Sequence, residues 1–308
     1  MNITGLHLLL TYQCNLECEH CFAWGSPWQT GTLTLERIRE ILRQASELGT
    51  IEWFYFEGGE PFLFYPIMVR GAEEAASLGF KVGIVTNGYW GTELEDALEW
   101  LRPFQGLVLD LSVSSDRLHW NEALNRQAQI ATQAAGDLGI PLGIISIASP
   151  ETADAPSSVG VLPPSESGIM YRGRAVAKLS DQAPRTPWTE FTVCPHEDLR
   201  DPGRVHIDPL GNVHVCQGIS LGNVFQKPLR EISGAYDAAI EAGAHPIVSP
   251  LLSGGPKGLV EQYELDHEDS YADACHLCYE ARLALRDRFP QILTPDQMYG
   301  VVSGEGEC

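Results

Sequence analysis

The stretch GLHLLLTYQCNLECEHC, residues 5–21, joins an apolar run to three closely spaced cysteines. Residues 5–12 have the composition of a buried strand. Cys14, Cys18 and Cys21 follow this strand directly, whereas metal sites built from cysteine usually have four protein ligands. The stretch therefore predicts a functional site at the end of a first strand. Its fourth ligand is either a small molecule or a neighbouring side chain such as His20.

Strand-like and helix-like segments alternate from residue 5 to about residue 147. In the first helical segment, Thr34 is a suitable N-cap and Gly49 a suitable stop. Continued to residue 147, the alternation gives five strands and four helices, which indicates parallel strands joined by helical crossovers. We expect a sixth strand within residues 169–179. The sequence thus predicts an α/β fold with a first domain over residues 1–180.

The pattern changes after residue 180. Residues 204–209 and 212–218 are strand-like and flank Leu210-Gly211, which predicts a hairpin. Residues 149–168 are rich in proline and serine and predict a loop or lid, and residues 243–260 predict a second irregular segment. We therefore assign residues 181–308 to a smaller second domain.

Charge and composition limit the classes of partner. The 308 residues include 41 acidic and 20 basic side chains, for a net charge of −21. Such a surface argues against nucleic acid or an anionic membrane as the main partner. There is neither a membrane-spanning apolar run nor a basic segment before residue 5 that would begin a signal peptide. We expect a cytoplasmic location, where cysteines are more often ligands or catalysts than disulfide partners.

Polar residues also follow the next three predicted strands, within FEGGEP (56–61), TNG (86–88) and SVSSD (112–116). Each cluster alone is compatible with ordinary helix-capping or turn chemistry. Clusters at four successive strand ends instead favour one ligand site, because the carboxyl ends of parallel strands share one edge of the sheet. A zinc ion on the three cysteines and His20 stays an alternative from spacing alone.

Taken together, CNLECEHC, GGEP, TNG and the Ser-x-Asp strand end resemble the radical S-adenosylmethionine (radical SAM) superfamily over about residues 5–180. The resemblance implies a partial six-stranded parallel barrel, with a 4Fe–4S cluster on Cys14, Cys18 and Cys21. The iron without a protein ligand would bind S-adenosylmethionine. The residues that the resemblance implies around this cofactor are His20, Phe22, Gly58, Gly59, Glu60, Thr86, Asn87, Ser114, Asp116 and Arg174.

The same resemblance implies a reaction. Reductive cleavage of S-adenosylmethionine gives a 5′-deoxyadenosyl radical, which abstracts a hydrogen atom from the substrate. A flavodoxin- or ferredoxin-type protein would donate the electron. The protein's own task is then to exclude water and to position one carbon–hydrogen bond.

A second group of cysteines lies in the predicted C-terminal domain: Cys194, Cys216, Cys275 and Cys278. A Cys-x-x-Cys pair beside a hairpin cysteine is also typical of structural zinc sites, so zinc stays an alternative. The arrangement resembles the twitch domain, a shortened SPASM domain, which implies one auxiliary 4Fe–4S cluster. Cys308 is left over. It is either an exposed terminal thiol or, if the C-terminal tail folds back over the barrel, a catalytic hydrogen-atom donor or a supplementary ligand.

We expect oxidative tailoring of a ribosomal peptide, namely a crosslink, a thioether or an epimerisation. Since the chain begins with the first barrel strand, a separate leader-peptide-binding protein is an expected partner. The alternative substrate is a cyclitol or sugar-like small molecule, oxidised by a dehydrogenase reaction. A two-cluster electron-transfer protein is the non-enzymatic alternative, but it leaves GGEP and the polar strand ends unexplained.

Overall fold

A computed structural model of the chain describes residues 1–115, 122–147 and 167–302. Asp116, Cys308 and the predicted loop at 149–168, apart from its last two residues, lie outside this part of the chain. No helix in the described ranges has both the length and the hydrophobicity needed to cross a bilayer.

The strands follow the predicted order through residue 145. They are β1 (Gly5–Thr11), β2 (Trp53–Gly58), β3 (Lys81–Thr86), β4 (Val108–Ser114), β5 (Leu142–Ile145), β6 (Thr186–Pro187), β7 (Arg204–Ile207), β8 (Asn212–Cys216), β9 (Ile219–Asn223) and β10 (Ser270–Tyr271).

Helices connect and flank these strands. They are α1 (Leu35–Leu48), α2 (Tyr65–Ser77), α3 (Leu94–Leu101), α4 (Glu122–Asp137), α5 (Arg174–Leu179), α6 (Leu229–Glu241), α7 (Val248–Tyr263) and α8 (Ala274–Leu285). Short 3-10 turns lie at Pro61–Phe64, Arg102–Phe104, Ser180–Gln182, Trp188–Glu190 and Asp296–Tyr299.

The main sheet of the described residues has eight strands in the order β5-β4-β3-β2-β1-β7-β8-β9. Strands β1 to β5 pair in parallel, and β7 pairs in parallel with the free edge of β1. Six parallel strands therefore form the open barrel, which confirms the predicted fold class. Strands β8 and β9 continue the sheet in antiparallel pairing.

Helix α1 illustrates how local sequence sets an element. The Thr34 hydroxyl accepts a hydrogen bond from the backbone N–H of Arg37 at 3.3 Å, which satisfies one free donor of the first turn. Gly49 takes a left-handed φ of 78° and ends the helix. The apolar face buries Ile38, Ile41 and Leu42 against the sheet. The predicted cap and stop are both confirmed.

The predicted sixth strand at 169–179 is wrong. Residues 174–179 form helix α5, and the sixth parallel strand is β7. Ala175 and Leu179 lie four residues apart and pack together with Tyr171, which is the period of a helix. A short apolar run fits both helical and strand periodicity, so the sequence alone did not distinguish a helix from a strand here.

The predicted irregular segment at 243–260 is also wrong in large part. Helix α7 occupies Val248–Tyr263 and is kinked at Gly255, whose φ is 63° and ψ is −160°. Pro256 follows the kink, where a proline is tolerated because its missing N–H would have had no helical partner. Glycine and proline therefore mark a break between two helical halves rather than a loop.

The predicted hairpin is confirmed. Strands β7 and β8 pair antiparallel, with His206 opposite His214. Gly211 in the turn has a φ of 93°, and a Cβ there would lie 2.3 Å from the Phe225 ring. Val205, Ile207 and Val213 pack in the same apolar cluster as residues of β1 to β4. The division into domains at residue 180 stays a prediction.

Candidate active site

The three N-terminal cysteines lie on the loop between β1 and α1, at the carboxyl end of the parallel strands. Cys14 is 7% exposed, and Cys18 and Cys21 are half-buried. All three line one cavity that opens to solvent. The loop therefore brings the predicted ligands together at the predicted edge of the sheet.

Backbone N–H groups point at two of these sulfurs. The N–H of Leu16 donates to Cys14 Sγ at 3.4 Å, and the N–H of Gly25 donates to Cys21 Sγ at 3.2 Å. Hydrogen bonds of this kind support the thiolate ligands of iron–sulfur clusters and tune their potential.

Burial, helped by the Glu60 carboxylate, raises the pKa of Cys14 to about 12. At neutral pH this group is therefore a thiol until a bound metal replaces its proton. The donor set fits a metal cluster.

Gly58 and Gly59 also line the cavity. A Cβ on Gly58 would lie 2.4 Å from the carbonyl oxygen of Thr11, and one on Gly59 would lie 2.1 Å from that of Gln13. Both glycines therefore lie against the backbone of the chain's own segment at the end of β1 and just after it. Glycine is therefore required for packing β2 against that segment, in addition to any ligand contact that we predicted from the sequence.

Glu60 joins the ends of β2 and β3. Its side chain is fully buried and accepts hydrogen bonds from Thr86 Oγ1 at 2.8 Å, from Asn87 N at 2.8 Å and from Phe62 N at 3.0 Å. Burial raises the pKa of this carboxyl to about 7. Because both oxygens have partners within the protein, this arrangement does not favour side-chain contact with the cofactor ammonium. That contact stays a prediction.

Other predicted cofactor contacts surround the same cavity. Those that line it are His20, Phe22, Thr86, Asn87 and Ser114, and the apolar wall includes Ile145 and Ile147. Asn87 Nδ2 donates to Asn15 Oδ1 at 2.9 Å and lies 3.7 Å from Cys14 Sγ, so the end of β3 contacts the cysteine loop. These residue roles stay predictions, although the fold assembles the residues in one place.

Arg174 lies beside the loop rather than on the cavity wall. Its guanidinium donates to the carbonyl oxygens of Cys18 and Gly25, each at 2.8 Å. The preceding Gly173 has a φ of 61°, and a Cβ there would lie 2.6 Å from the carbonyl oxygen of Cys21. The Gly-Arg-Ala tripeptide at 173–175 therefore clamps the cysteine loop. Its predicted contact with the cofactor stays a prediction.

The second group of cysteines converges on another cavity. Cys194, Cys216, Cys275 and Cys278 all line it, although they come from three separate segments of the chain. None of the seven cysteines in the described ranges is in a disulfide. Arg282 is buried beside them and donates to the carbonyl oxygens of Gln217 and Cys278. Four thiols with a buried guanidinium nearby fit a metal centre bound by four thiolates.

Arg172 is a residue that sequence reasoning missed. It is buried and lines both cavities. Its Nη1 lies 3.2 Å from Glu197 Oε1 and 3.9 Å from Cys216 Sγ. The sequence provided little indication of this role, because a single arginine outside any recognised motif does not show that it lies between two cavities.

Comparison with known proteins identifies the first part of the chain. Residues 8–147 match the family model described as the radical SAM superfamily. The chain carries a radical SAM domain. A domain of this family implies the two expected cofactors, S-adenosylmethionine and a 4Fe–4S cluster.

Curated relatives match over this domain. YydG of Bacillus subtilis (strain 168), whose name assigns it to peptide biosynthesis, is 31% identical over 111 residues, which cover 36% of this chain and 35% of YydG. PqqA peptide cyclase of Streptomyces rochei is 36% identical over 88 residues, covering 27% of this chain and 23% of that one. The chain thus spans about a third or less of the length of these relatives.

A solved structure resembles this chain in fold over more than the matched domain. The crystal structure of BtrN in complex with AdoMet and 2-DOIA superposes with a TM-score of 0.51 at 16% sequence identity. The superposition covers 77% of this chain and 86% of that one. At this identity the likeness concerns the fold alone.

Proposed function

We propose that this protein is a radical SAM enzyme that abstracts a hydrogen atom from a ribosomal peptide and so introduces a crosslink, a thioether or an epimerised residue. One observation carries the catalytic part of the proposal. Cys14, Cys18 and Cys21 line a single cavity together with the ends of β2, β3 and β4. When bound there, the cluster and S-adenosylmethionine supply the 5′-deoxyadenosyl radical.

The chain's own residues prepare that cavity. Arg174 fixes the cysteine loop through two carbonyl oxygens, and Asn87 ties the end of β3 to it. Ile145, Ile147 and Met170 give one side of the cavity an apolar wall. An apolar wall protects a reactive carbon radical from water and side reactions.

We further propose that Cys194, Cys216, Cys275 and Cys278 bind one auxiliary 4Fe–4S cluster in a twitch-like domain. Four thiolates would occupy every iron, so such a cluster would transfer an electron rather than bind substrate. This suits a net oxidation, in which the substrate radical gives up one electron. Structural zinc is the competing occupant, because four thiolates also suit a closed tetrahedral zinc site.

The names of two relatives support a peptide substrate. One is assigned to peptide biosynthesis and the other is a peptide cyclase. A leader-binding protein and a flavodoxin- or ferredoxin-type electron donor belong to the same proposal.

Peptide tailoring is tested with a precursor peptide encoded beside the gene. A loss of two hydrogens by mass spectrometry indicates a crosslink or thioether, and deuterium uptake from solvent without that loss indicates epimerisation. An unchanged precursor contradicts the peptide proposal.

The catalytic proposal is tested anaerobically. The reconstituted protein is reduced with dithionite, S-adenosylmethionine is added and 5′-deoxyadenosine is measured. We expect the nucleoside from the unmodified chain and none from the Cys14→Ala, Cys18→Ala, Cys21→Ala triple variant. We also expect about eight irons per chain if both cysteine groups hold four-iron clusters. Equal amounts of nucleoside from both proteins would refute the proposal.

A further inference from the structure

A third group of metal-ligating side chains lies on three strands of the main sheet and contains none of the cysteines. His7 is on β1, Glu57 on β2 and His206 on β7. His7 is in register with Tyr55 on one side and with His206 on the other. Glu57 follows Tyr55 by two residues and so points to the same face of the sheet. Three adjacent strands therefore present these side chains together.

The ligand atoms of this group are close to one another. His7 Nδ1 lies 3.2 Å from Glu57 Oε2, and His206 Nε2 lies 3.0 Å from Glu57 Oε1. One ligand atom from each residue lies within 4.8 Å of the other two. A tetrahedral zinc site with nitrogen and oxygen ligands has about 3.3 Å between ligand atoms. The two donor pairs that include Glu57 already have roughly that spacing.

The three side chains are largely buried, and packing holds the two imidazole rings in place. The side chains of His7, Glu57 and His206 are 15%, 11% and 7% exposed. The His7 ring stacks on Tyr55 with centroids 4.6 Å apart, and the His206 ring lies 6.3 Å from Phe22. Ligands carried on strands and fixed by packing are pre-organised for a metal.

A simpler interpretation is that two imidazoles merely hold a buried carboxylate. One detail favours a metal over this interpretation. Glu57 Oε1 is buried and makes no hydrogen bond within the described part of the chain, although His206 Nε2 is 3.0 Å away. A buried carboxylate oxygen whose nearest donor lies outside hydrogen-bond geometry is incompletely compensated for its loss of water. A cation between Oε1 and Nε2 would satisfy both atoms.

We propose that His7, Glu57 and His206 bind a divalent transition-metal ion, with zinc as the probe that fits two imidazoles and one carboxylate. Glu57 also lines the cavity that contains the three N-terminal cysteines. Three protein ligands leave a coordination position open, which suits a carbonyl, hydroxyl or carboxylate oxygen of the substrate. The site goes beyond the proposed radical chemistry, because its metal binding does not depend on S-adenosylmethionine.

Zinc binding to the full chain tests the site. Both cysteine groups are first filled by reconstitution with iron, and the protein is then dialysed against Zn²⁺ and analysed for both metals. We expect one additional zinc per chain with unchanged iron. Glu57→Gln and His206→Gln should each lower zinc affinity at least tenfold. Tyr55→Phe is the matched control, because it keeps the ring that stacks on His7 and removes no ligand.

X-ray absorption at the zinc edge of the unmodified protein gives a second measurement that no folding defect can confuse. We expect nitrogen and oxygen neighbours at about 2.0–2.2 Å with imidazole scattering and no sulfur. A sulfur shell at about 2.3 Å would assign the zinc to the cysteines and overturn the proposal. Equal zinc in the unmodified protein and Glu57→Gln, or zinc gained only as iron is lost, would overturn it as well.

Discussion

Arg174 shows how a single side chain can organise a site that it does not line. Its planar guanidinium reaches two carbonyl oxygens of the cysteine loop at once. A charged hydrogen bond in a buried place contributes about 1.5–3 kcal/mol, and an ammonium group cannot reproduce the two-pronged geometry. The loop conformation that brings Cys18 and Cys21 together therefore depends on arginine at this position.

Replacing Arg174 with lysine should loosen that loop. We expect the free energy of unfolding to fall by about 1–3 kcal/mol, because at least one carbonyl oxygen loses its donor. We also expect faster loss of iron from the N-terminal cysteine site on dilution, measured as iron per chain over time. Arg39→Lys is the control, since that side chain is exposed in an ion pair with Glu74. An Arg174→Lys protein that retains iron like the control would contradict the clamp.

At the scale of elements, the kink in α7 connects a helix to the second group of cysteines. A Cβ on Gly255 would lie 2.3 Å from Val193 N and 2.4 Å from the carbonyl carbon of Thr192. Those backbone atoms directly precede Cys194. The close approach of α7 thus fixes the segment that carries one of the four thiols.

Gly255→Ala should displace that segment. The added methyl group meets backbone atoms, and alanine is strained at the observed φ of 63°. We expect a loss of about 1–3 kcal/mol in unfolding free energy and lower metal content at the second site, with 5′-deoxyadenosine formation retained.

The neighbouring Gly254→Ala is a matched control, because nothing lies within 4 Å of the position that its added methyl group would take. We expect its stability to change by no more than about 0.5 kcal/mol. Equal behaviour of the two alanine variants would refute the account of the kink.

The β7–β8 hairpin is built around the buried carboxylate of Asp208. It accepts hydrogen bonds from Leu210 N and Asn212 N, each at 2.9 Å, and from the hydroxyl of Tyr12 at 2.9 Å. Burial opposes ionisation, but His214 and Asn212 outweigh it and lower the pKa of Asp208 below its ordinary value of 3.8. The folded protein therefore binds a proton here less readily than the unfolded chain.

This difference predicts a pH dependence. Asp208 contributes stability above its ordinary pKa, and that contribution is lost as the pH falls through its lower value in the folded protein. We expect Asp208→Asn to cost about 1–3 kcal/mol at about pH 7, through impaired hydrogen bonds. The gap to the unmodified protein should narrow at about pH 3, measured by urea unfolding. A gap that stays constant between these pH values would contradict the assignment.

For the whole molecule, the two cysteine groups should have separate tasks. Arg172 lines both cavities, so the sites are neighbours without sharing a thiol. Cys14, Cys18 and Cys21 leave one ligand position to the cofactor, whereas the second group supplies four thiols. An open site suits cofactor cleavage, and a closed one suits electron transfer.

The Cys275→Ala, Cys278→Ala double variant should separate these tasks. We expect it to lose about four irons per chain and to form 5′-deoxyadenosine slowly without repeated product formation. Iron analysis and a time course of nucleoside and product measure this. If the double variant forms no nucleoside at all, as expected for the N-terminal triple variant, the proposed division is wrong.

Local sequence determined much of this protein. Thr34 and Gly49 set the limits of α1 because capping and left-handed turns depend on neighbouring residues alone. The spacing of Cys14, Cys18 and Cys21 after a strand, followed by GGEP, also indicated the radical SAM domain, because each of these motifs is formed by residues that are close together in the sequence. The order of strands along β1 to β5 then placed the polar strand ends at one edge, since parallel strands share a direction.

Tertiary structure alone decided the rest. Residues 174–179 form a helix because Ala175 and Leu179 pack on Tyr171, and the sixth parallel strand comes from residues 204–207 because the edge of β1 was free to pair. Arg172 reaches two cavities, and His206 meets His7 and Glu57, only through contacts between residues far apart in sequence. The sequence determines short-range conformational preferences directly. These long-range contacts instead follow from tertiary packing, which the spacing of residues along the chain does not reveal.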